Sequence, residues 1–250
     1  MLPDAASAKP TAEADADLRL QRTADEKRSF YQLADVAAAY DSQRFGGASG
    51  EHVNHRELDI VAALVPPGGV IADVACGTGR ATALLRERGS LALALDTSFP
   101  MLLLTAEAAT GPAVQADAFR LPLRDGACDA ALSMRLLFHF PDVSPLLAEL
   151  RRVTRPGGTL VCDTYTWSPR ALLPFGMARW GARVSAISPS TFERRARRAG
   201  WDVAHSVPCF LFSPYLYRRL PPRLVRVLER LELVLPSRLL CRVFWQLTAV

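Results

Sequence analysis

Short, nearly continuous apolar runs alternate with helical stretches through the middle of this chain. The apolar runs cover residues 70–74, 91–95, 113–116, 127–132 and 159–164. Strands buried on both faces of a parallel sheet have this composition. Helical stretches separate the runs at 80–88, 100–109 and 145–153. The alternation predicts an α/β fold, with a doubly wound, mostly parallel sheet and helices on both of its faces.

The flanking sequence adds elements to this core. Residues 201–209 and 242–250 have strand-like composition, which brings the predicted sheet to seven strands. A further helix is predicted at 191–199, with Ser190 as its N-cap and Gly200 as its stop. A Pro-, Arg- and Leu-rich segment at about 210–241 separates the last two strands. We expect it to form a helical insertion between strands six and seven.

The residues before the first strand are predicted to form a helical cap at 29–66. Tyr31, Val36 and Tyr40 are spaced as on a helix that Gly46 and Gly47 end, and residues 51–65 have a helical apolar period. Residues 1–28 contain few large apolar side chains, so we expect a poorly ordered tail there. The remainder, 29–250, is predicted to be a single domain.

Charge and cysteine usage limit the classes of protein. Residues 1–150 contain 13 Lys and Arg against 20 Asp and Glu, whereas residues 151–250 contain 17 against 5. The basic half indicates an anionic partner or simply a solvated arginine-rich surface. The five cysteines are scattered without metal-binding spacing, which favours buried free thiols in a reducing compartment and predicts no metal site. No signal peptide or membrane span is evident, so a cytoplasmic location is expected.

The loop after the first apolar run has the composition of a ligand-binding turn. Asp73 is followed closely by Ala75, Cys76, Gly77, Thr78 and Gly79, and small residues let a ligand approach the backbone. Ligands of such sheets bind at the carboxyl ends of the strands. Thr82 occupies the place of the third glycine of a dinucleotide fingerprint, which argues against a pyrophosphate ligand.

Three acidic residues stand at the ends of three successive predicted strands. Asp73 closes the first, Asp96 the second and Asp117 the third. An acid after the second strand is placed to accept both ribose hydroxyls, and an acid after the third can accept from the adenine amine. S-adenosylmethionine has no phosphate but has a sulfonium, an ammonium, a ribose diol and an adenine, which carboxylates suit.

Four motifs together resemble the class I S-adenosylmethionine-dependent methyltransferases. The run VIADVACGTGR at 70–80 resembles motif I of that family, LDTSFPML at 95–102 its second-strand motif, and QADAFRLP at 115–122 its adenine-side motif. Residues 125–158, with HFPD at 139–142 and RRVTRPGG at 151–158, are similar to its fourth strand and following helix. The resemblance covers residues 31–165 closely. Ala75 replaces the family's first motif glycine. This substitution is frequent in the quinone C-methyltransferase branch of the family.

The resemblance implies a set of cofactor contacts. S-adenosylmethionine would meet Asp73 and the 75–79 backbone at its methionine end, helped by the main chain of Ser133. Its ribose would meet Asp96, and a tyrosine and an arginine of the cap would close over it. The implied contacts are Asp73, Ala75, Cys76, Gly77, Gly79, Asp96, Thr97, Met101, Asp117, Ala118, Phe119, Ser133, Tyr40 and Arg44.

The acceptor side is less well defined. His139 follows the fourth predicted strand and is the candidate general base, although the family often has a histidine there that only supports the loop. Tyr165, Trp167 and Arg170 follow the fifth strand and are predicted to bind the acceptor; packing of a covering helix is the alternative.

Residues 221–235 form a basic amphipathic pattern, with leucines and valines on one side and arginines on another. Such a helix can lie on an anionic membrane or cover a lipophilic substrate. The plainer interpretation, which we favour at this stage, is a helix packed on the sheet with its arginines in water.

The sequence therefore predicts a methyltransferase that acts on a small hydrophobic or anionic molecule, with an O-methyltransferase of a specialised metabolite as the first expectation. A C-methyltransferase of a quinone or other lipid is the main alternative. A tRNA-modifying enzyme and a non-catalytic cofactor-binding protein are further alternatives. We expect no nucleic-acid partner, because no basic stretch is interleaved with base-stacking aromatic residues.

Overall fold

A seven-stranded sheet forms the centre of the computed structural model, which describes residues 29–168 and 184–250. The strand order is β3-β2-β1-β4-β5-β7-β6. The strands β1 to β5 pair in parallel, whereas β7 runs antiparallel to both β5 and β6. The strands are β1 Val70–Val74, β2 Leu91–Asp96, β3 Ala113–Gln115, β4 Cys128–Ser133, β5 Thr154–Tyr165, β6 Trp201–Cys209 and β7 Arg242–Ala249.

Helices flank the sheet and cap it. Their bounds are α1 Ala34–Phe45, α2 Ala48–Leu64, α3 Arg80–Glu87, α4 Phe99–Ala108, α5 Ser144–Val153, α6 Pro189–Arg198, the single turn α7 Pro214–Tyr217, and α8 Pro222–Glu232. Within the described residues, none of these helices is both long enough and apolar enough to cross a bilayer. The helices α1 and α2 precede the sheet, and α7 and α8 lie between β6 and β7, as predicted.

Two apolar cores lie on opposite faces of the sheet, because successive strand residues point to opposite sides. Ile71 belongs to the core that α2, α3 and α8 cover, and its neighbour Ala72 belongs to the core under α5 and α6. This two-sided burial is why β1, β2 and β4 are mostly apolar on both faces. The predicted doubly wound, mostly parallel sheet with helices on both faces is confirmed.

Two predicted boundaries are corrected. Helix α6 begins at Pro189, and Ser188 rather than Ser190 is its N-cap, because proline suits the first helical position and the Ser188 hydroxyl accepts the Thr191 N–H at 3.3 Å. Strand β5 begins at Thr154, five residues earlier than predicted. Thr154 pairs with Cys128 before an irregularity, and regular pairing resumes at Thr159. The predicted tail, residues 1–28, lies outside the described residues.

The strand order places a ligand site. The chain adds β2 and β3 on one side of β1 and then crosses to β4 on its other side. The loops that leave β1 and β4 therefore separate in opposite directions at the carboxyl edge of the sheet. A crevice opens at such a switch point.

Candidate active site

Two adjoining cavities occupy the crevice at the carboxyl edge. The first, called the loop cavity here, has a volume of about 700 Å³ and includes the 75–78 loop and Arg135 in its lining. The second, the outer cavity, measures about 590 Å³ and lies over residues 116–119. The two cavities form one trough, because they share Tyr31, Ala75, Asp96, Leu136 and His139.

The loop between β1 and α3 makes one wall of the loop cavity with its backbone. Gly77 and Gly79 have φ of 59° and 84°, in the left-handed region that favours glycine. A Cβ added at Gly77 would meet no protein atom within 4 Å, whereas one at Gly79 would lie 2.7 Å from Thr105 Cγ2. Gly77 therefore leaves room for a ligand. Gly79 instead permits the close packing of the loop on α4, and it does not line either cavity.

Ala75 is the position at which the loop departs from the family's motif I, which has a glycine there. Its φ is 60°, so a residue with a Cβ adopts a conformation that costs roughly 1–2 kcal/mol for an L-amino acid. The family's glycine at this position would adopt it without strain. The loop keeps its shape here because Cys76 N–H donates to Leu95 O at 3.1 Å and Gly79 N–H donates to Cys76 O at 3.1 Å.

Asp73 lies at the back of the loop cavity. Its side chain is buried and accepts the Thr82 hydroxyl at 2.6 Å. Burial raises the pKa of Asp73 to about 6; the Thr82 hydrogen bond opposes this shift, and the nearby Asp96 carboxylate adds to it. A buried carboxylate with this environment favours a cationic ligand, because a positive charge would offset its desolvation.

Asp96 is held in one orientation at the end of β2. One carboxylate oxygen accepts Gly77 N–H at 2.9 Å and the other accepts Ser98 N–H at 2.8 Å. Burial raises the pKa of Asp96, and these backbone hydrogen bonds oppose the shift. Asp96 lines both cavities, so it stands where they join. An oriented carboxylate at this junction can accept a vicinal diol.

The outer cavity is mainly apolar. Thr97, Ala118 and Phe119 line it, and the Phe119 ring meets Phe140 edge-on at 4.8 Å. Asp117 also lines it, two residues beyond the end of β3, and its Oδ1 accepts Phe119 N–H at 3.0 Å. A flat, apolar slot with one carboxylate suits a heteroaromatic ring with an amine.

Met101 lies in the first turn of α4. The resemblance implies a position beside the adenine, and the structure places Met101 in the lining of the loop cavity and not of the outer cavity. Helix α4 begins at Phe99 and packs against the motif I loop, where Thr105 Oγ1 donates to Gly77 O at 2.9 Å. This packing places the first turn of α4 beside the loop cavity.

The cap closes the trough with two tyrosines. Tyr40 lines the loop cavity, and Tyr31 lines both cavities and meets the Tyr40 ring edge-on at 6.1 Å. Arg44 stacks on the Tyr40 ring at 5.4 Å and does not itself line a cavity. In the sequence, Tyr31 was only one of the residues with helical spacing. The Ser98 hydroxyl donates to Tyr31 O at 2.6 Å, and this bond attaches the cap to the edge of the sheet and places Tyr31 in the cavity wall.

A buried ion cluster supports the opposite wall of the loop cavity. Glu57 of α2 is fully buried, with Arg135 at 2.9 Å, Arg80 at 3.2 Å and Arg242 also bonded to it. Asp163 of β5 accepts Arg242 Nε at 2.8 Å and the Arg135 N–H at 2.6 Å. Burial alone would raise the pKa of Glu57, but Arg242, Arg135 and Arg80 together hold it at about 2. Sequence analysis did not identify this cluster.

Two members of the cluster face the ligand. Arg80 and Arg135 line the loop cavity, and both guanidinium groups lie over the Phe45 ring, at 3.8 and 5.3 Å. Three arginines and two acids leave the cluster with one net positive charge. Within the described residues Arg242 Nη2 has no hydrogen-bond partner. The Arg80 and Arg135 guanidinium groups thus bring positive charge to the same cavity that the Asp73 and Asp96 carboxylates line.

The remaining predicted residues lie in different places. His139 lines both cavities. Ser133 is fully buried in β4, and the lining of the loop cavity begins one residue later, at Met134. Tyr165, the last residue of β5, is a buried core residue whose ring packs on Phe138 at 4.8 Å.

Trp167 also lies away from the trough. Its ring packs against the core, and its Nε1 donates to Leu239 O at 3.1 Å. Tyr165 and Trp167, which the sequence predicted to bind the acceptor, line neither the loop cavity nor the outer cavity. Arg170 lies outside the described residues. Within the described parts of the chain, no cluster of three His, Cys, Asp or Glu side chains is arranged to hold a metal ion.

Residues 72–162 match a protein family described as a methyltransferase domain. A demethylmenaquinone methyltransferase from Thermobifida fusca is 33% identical over 163 residues, which are 60% of this chain and 69% of that protein. One from Mycolicibacterium paratuberculosis is 35% identical over 137 residues, 55% of this chain and 59% of that protein. A malonyl-[acyl-carrier protein] O-methyltransferase from Serratia marcescens is 37% identical over 99 residues, only 39% of each chain.

Solved structures share the fold. A geranyl diphosphate C-methyltransferase from Streptomyces coelicolor, in complex with Mg²⁺, geranyl diphosphate and S-adenosyl-L-homocysteine, has a TM-score of 0.63 and 16% identity, with 80% of each chain covered. An S-adenosylmethionine-dependent methyltransferase from Mesorhizobium loti has a TM-score of 0.57 and 22% identity, with 76% of this chain and 96% of that one covered.

Proposed function

We propose that this chain, which belongs to the class I S-adenosylmethionine-dependent methyltransferases, methylates a ring carbon of a reduced quinone lipid. The observation that supports this acceptor best is the pair of guanidinium groups, Arg80 and Arg135, that Glu57 holds at the wall of the loop cavity. The curated relatives with the longest matches described above are demethylmenaquinone methyltransferases, which favours a related quinone over the O-methyl acceptor that the sequence suggested first.

S-adenosylmethionine is the cofactor, and the trough fits it. The space in front of Gly77 admits a ligand against the backbone, and the buried Asp73 carboxylate favours a cation. We propose that Asp96 accepts the ribose hydroxyls and that Asp117 and Phe119 contact the adenine. The bound cofactor supplies a methyl group already activated by its sulfonium.

The acceptor then needs a nucleophilic carbon. When a hydroquinone hydroxyl loses its proton, negative charge spreads from the oxygen to the adjacent ring carbon. We propose that Arg80 and Arg135 stabilise that oxyanion, because fixed positive charge in a cavity wall is effective in stabilising developing charge. His139, which lines both cavities, accepts the hydroxyl proton.

The same arrangement favours carbon over oxygen. Two guanidinium donors occupy lone pairs of the oxyanion and reduce its nucleophilicity, while the ring carbon remains accessible. The carbon forms the new C–C bond as the methyl–sulfur bond breaks, and the carbon then loses its hydrogen as a proton to restore the aromatic ring. Alignment of the acceptor carbon with the methyl group contributes much of the rate.

A product assay tests the proposal. The purified chain is incubated with S-adenosylmethionine and a short-chain demethylmenaquinol under reducing conditions, and mass spectrometry and NMR locate the added methyl group. We expect it on the ring carbon. Methylation at oxygen would restore the first expectation, and no methylation despite cofactor binding by calorimetry would reject the quinone acceptor.

Variants of Arg135 test whether its guanidinium group stabilises the acceptor oxyanion. We expect Arg135→Gln to lower kcat by about 10²–10³-fold, the usual loss when one oxyanion donor is removed. Arg135→Lys keeps the charge and should recover part of the rate. Because Arg135 also pairs with Glu57, thermal unfolding and cofactor affinity are measured for both variants, and kcat is compared at saturating cofactor below the unfolding temperature. If kcat is unchanged, Arg135 has no part in acceptor chemistry.

A further inference from the structure

A packed surface helix needs one buried apolar face and one exposed polar face. Helix α8 has a third face, which is apolar and exposed. Val225 and Leu228 are buried against the core together with Glu232. A second row, three and then four residues apart, consists of Leu224, Val227 and Leu231, which are 41%, 50% and 42% exposed. A third row, with the same spacing, consists of Arg223, Arg226 and Arg230, all of them exposed.

Exposed apolar side chains concentrate around this helix. Of the fourteen exposed large apolar residues in the described chain, seven lie between residues 216 and 239: Leu216, Leu224, Val227, Leu231, Leu233, Val234 and Leu239. Leu233 and Val234, just after α8, are 85% and 77% exposed. Scattered exposed apolar residues are ordinary, but a continuous group marks an interaction surface. We call residues 223–239 on this side the outer face of α8.

The arginines of the outer face are not used inside the protein. Arg223, Arg226, Arg230 and Arg238 are exposed, and none makes an ion pair or side-chain hydrogen bond with another residue of the described ranges 29–168 and 184–250. The two acids of α8 are engaged on the inner side, where Glu229 bonds His52 at 2.7 Å and Glu232 bonds Arg56 at 2.5 Å. Positive charge therefore dominates the outer side of the insertion.

The inner side fixes the insertion to the cap. Besides these two ion pairs, the Ser49 hydroxyl donates to Leu220 O at 2.7 Å. Helix α2 thus contacts the insertion through Ser49, His52 and Arg56, and the same helix supplies Glu57 to the ion cluster at the loop cavity. A surface that binds the outer face would lie next to the cap that closes the trough.

We propose that the outer face of α8 docks on an anionic lipid bilayer, with its leucines and valines at the headgroup–acyl boundary and its arginines at the level of the lipid phosphates. An apolar row beside a basic row on one exposed helix is the pattern of helices that lie in the membrane interface. Each arginine near an anionic surface strengthens partitioning by about fivefold. The proposal does not depend on the identity of the acceptor.

Two other occupants fit the face less well. A two-fold contact between copies of this chain would face one basic patch with another identical basic patch, which brings like charges together. A single-stranded nucleic acid would be expected to use aromatic stacking platforms, and residues 221–239 contain no aromatic residue. An anionic bilayer matches both the apolar row and the basic row.

Vesicle sedimentation with the full-length chain tests the proposal. We expect binding to vesicles of phosphatidylglycerol and phosphatidylcholine, with little binding to phosphatidylcholine alone. The triple variant Arg223→Gln/Arg226→Gln/Arg230→Gln should lose about 100-fold in partitioning at low salt, from three factors of about fivefold. The matched control Arg194→Gln/Arg197→Gln/Arg198→Gln removes the same charge from exposed positions on α6 and should bind almost as the unmodified chain does.

A second variant separates insertion from simple charge attraction. Val227→Ser/Leu231→Ser keeps every charge and changes only exposed side chains, so its thermal unfolding should match that of the unmodified chain. We expect at least a tenfold loss of vesicle binding. The proposal would be overturned if the two triple variants lost equal vesicle binding, or if the serine variant bound vesicles unchanged. It would also be overturned if the unmodified chain formed a stable dimer in solution and the serine substitutions dissociated that dimer. The assay contains no acceptor, so its failure is distinct from a failure of the proposed methylation.

Discussion

The two walls of the loop cavity are built in different ways. The cofactor wall is a contiguous segment, residues 73–79, whose shape follows from the end of β1 and from two glycines before α3. The opposite wall is the ion cluster, whose members come from α2, α3, β5, β7 and the loop after β4. Backbone geometry defines the first wall, and paired buried charges define the second.

This difference has an energetic consequence. A backbone wall tolerates side-chain changes as long as the backbone conformation remains accessible. A buried ion cluster is held together by its own pairing, so the loss of one partner leaves an uncompensated buried charge. Changes in the cluster should therefore affect the stability of the whole domain, whereas changes in the loop should mainly affect ligand binding.

The largest effect is expected at Glu57. We predict that Glu57→Gln lowers the free energy of unfolding by about 3–5 kcal/mol, because Arg80, Arg135 and Arg242 lose their shared carboxylate. Urea unfolding measures this loss. The matched control is Asp59→Asn on the exposed side of the same helix, with an expected change of about 0.5 kcal/mol or less. Equal losses in the two variants would contradict the comparison.

The stability supplied by Glu57 should also depend on pH. The folded-state pKa of Glu57 is about 2, below its ordinary value of 4.5. The contribution is therefore complete above the unfolded-state pKa and is lost as the pH falls from about 4.5 toward 2. Glu57→Gln should lack this component of the acid transition, which unfolding measured between those pH values would show.

An intermediate effect is expected from Asp73 in the cofactor wall. Its pKa is raised to about 6, and a cationic ligand binds the ionised form better. We predict that cofactor affinity falls as the pH decreases through 6, by about tenfold at pH 5 relative to neutral pH, because about one site in ten stays ionised there. Calorimetry from pH 5 to 7.5 measures it.

Asp73→Asn serves as the control for this titration. Its cofactor affinity should be weak and nearly independent of pH in that range. The raised pKa also means that ionised Asp73 lowers stability: its cost appears as the pH rises through about 4 to 6. If the asparagine variant retains the full pH dependence of binding, another group in the trough is responsible.

The smallest effect is expected at Ala75. We predict that Ala75→Gly stabilises the domain by about 1 kcal/mol or less, because it relieves a left-handed alanine and at the same time increases the freedom of the unfolded chain. Cofactor affinity should change little. Ala148→Gly, at an exposed position within α5, should instead destabilise by about 1 kcal/mol. A loss of stability at Ala75 would show that its strain is compensated locally.

Local patterns were sufficient for most of the fold. β1 has the predicted bounds, α3 and α5 differ from prediction by one residue at one end, and α4 differs by one residue at each end. Apolar runs and start signals are local, so they are visible in one sequence. Strand β5 began earlier than predicted because its first residues pair only through an irregular register with β4.

The candidate site was predicted unevenly for the same reason. Asp73, Ala75, Gly77 and Asp96 were identified from their positions at strand ends, and all four line the loop cavity. Tyr165 was predicted to bind the acceptor because it ends β5; in the structure it is buried and packs on the Phe138 ring. What covers a strand end depends on the neighbouring elements, which spacing along the chain does not reveal.

The sequence by itself determined the βαβ order, the motif I loop and the phased acids, and with them the cofactor. Only the tertiary structure brought Glu57, Arg80, Arg135, Asp163 and Arg242 into contact and left the outer face of α8 exposed. Strand ends, glycine turns and apolar periods are set by neighbouring residues along the chain. The pairing of buried charges, and the choice of which apolar row is covered, depend on residues up to 185 positions apart that meet only when the sheet is assembled.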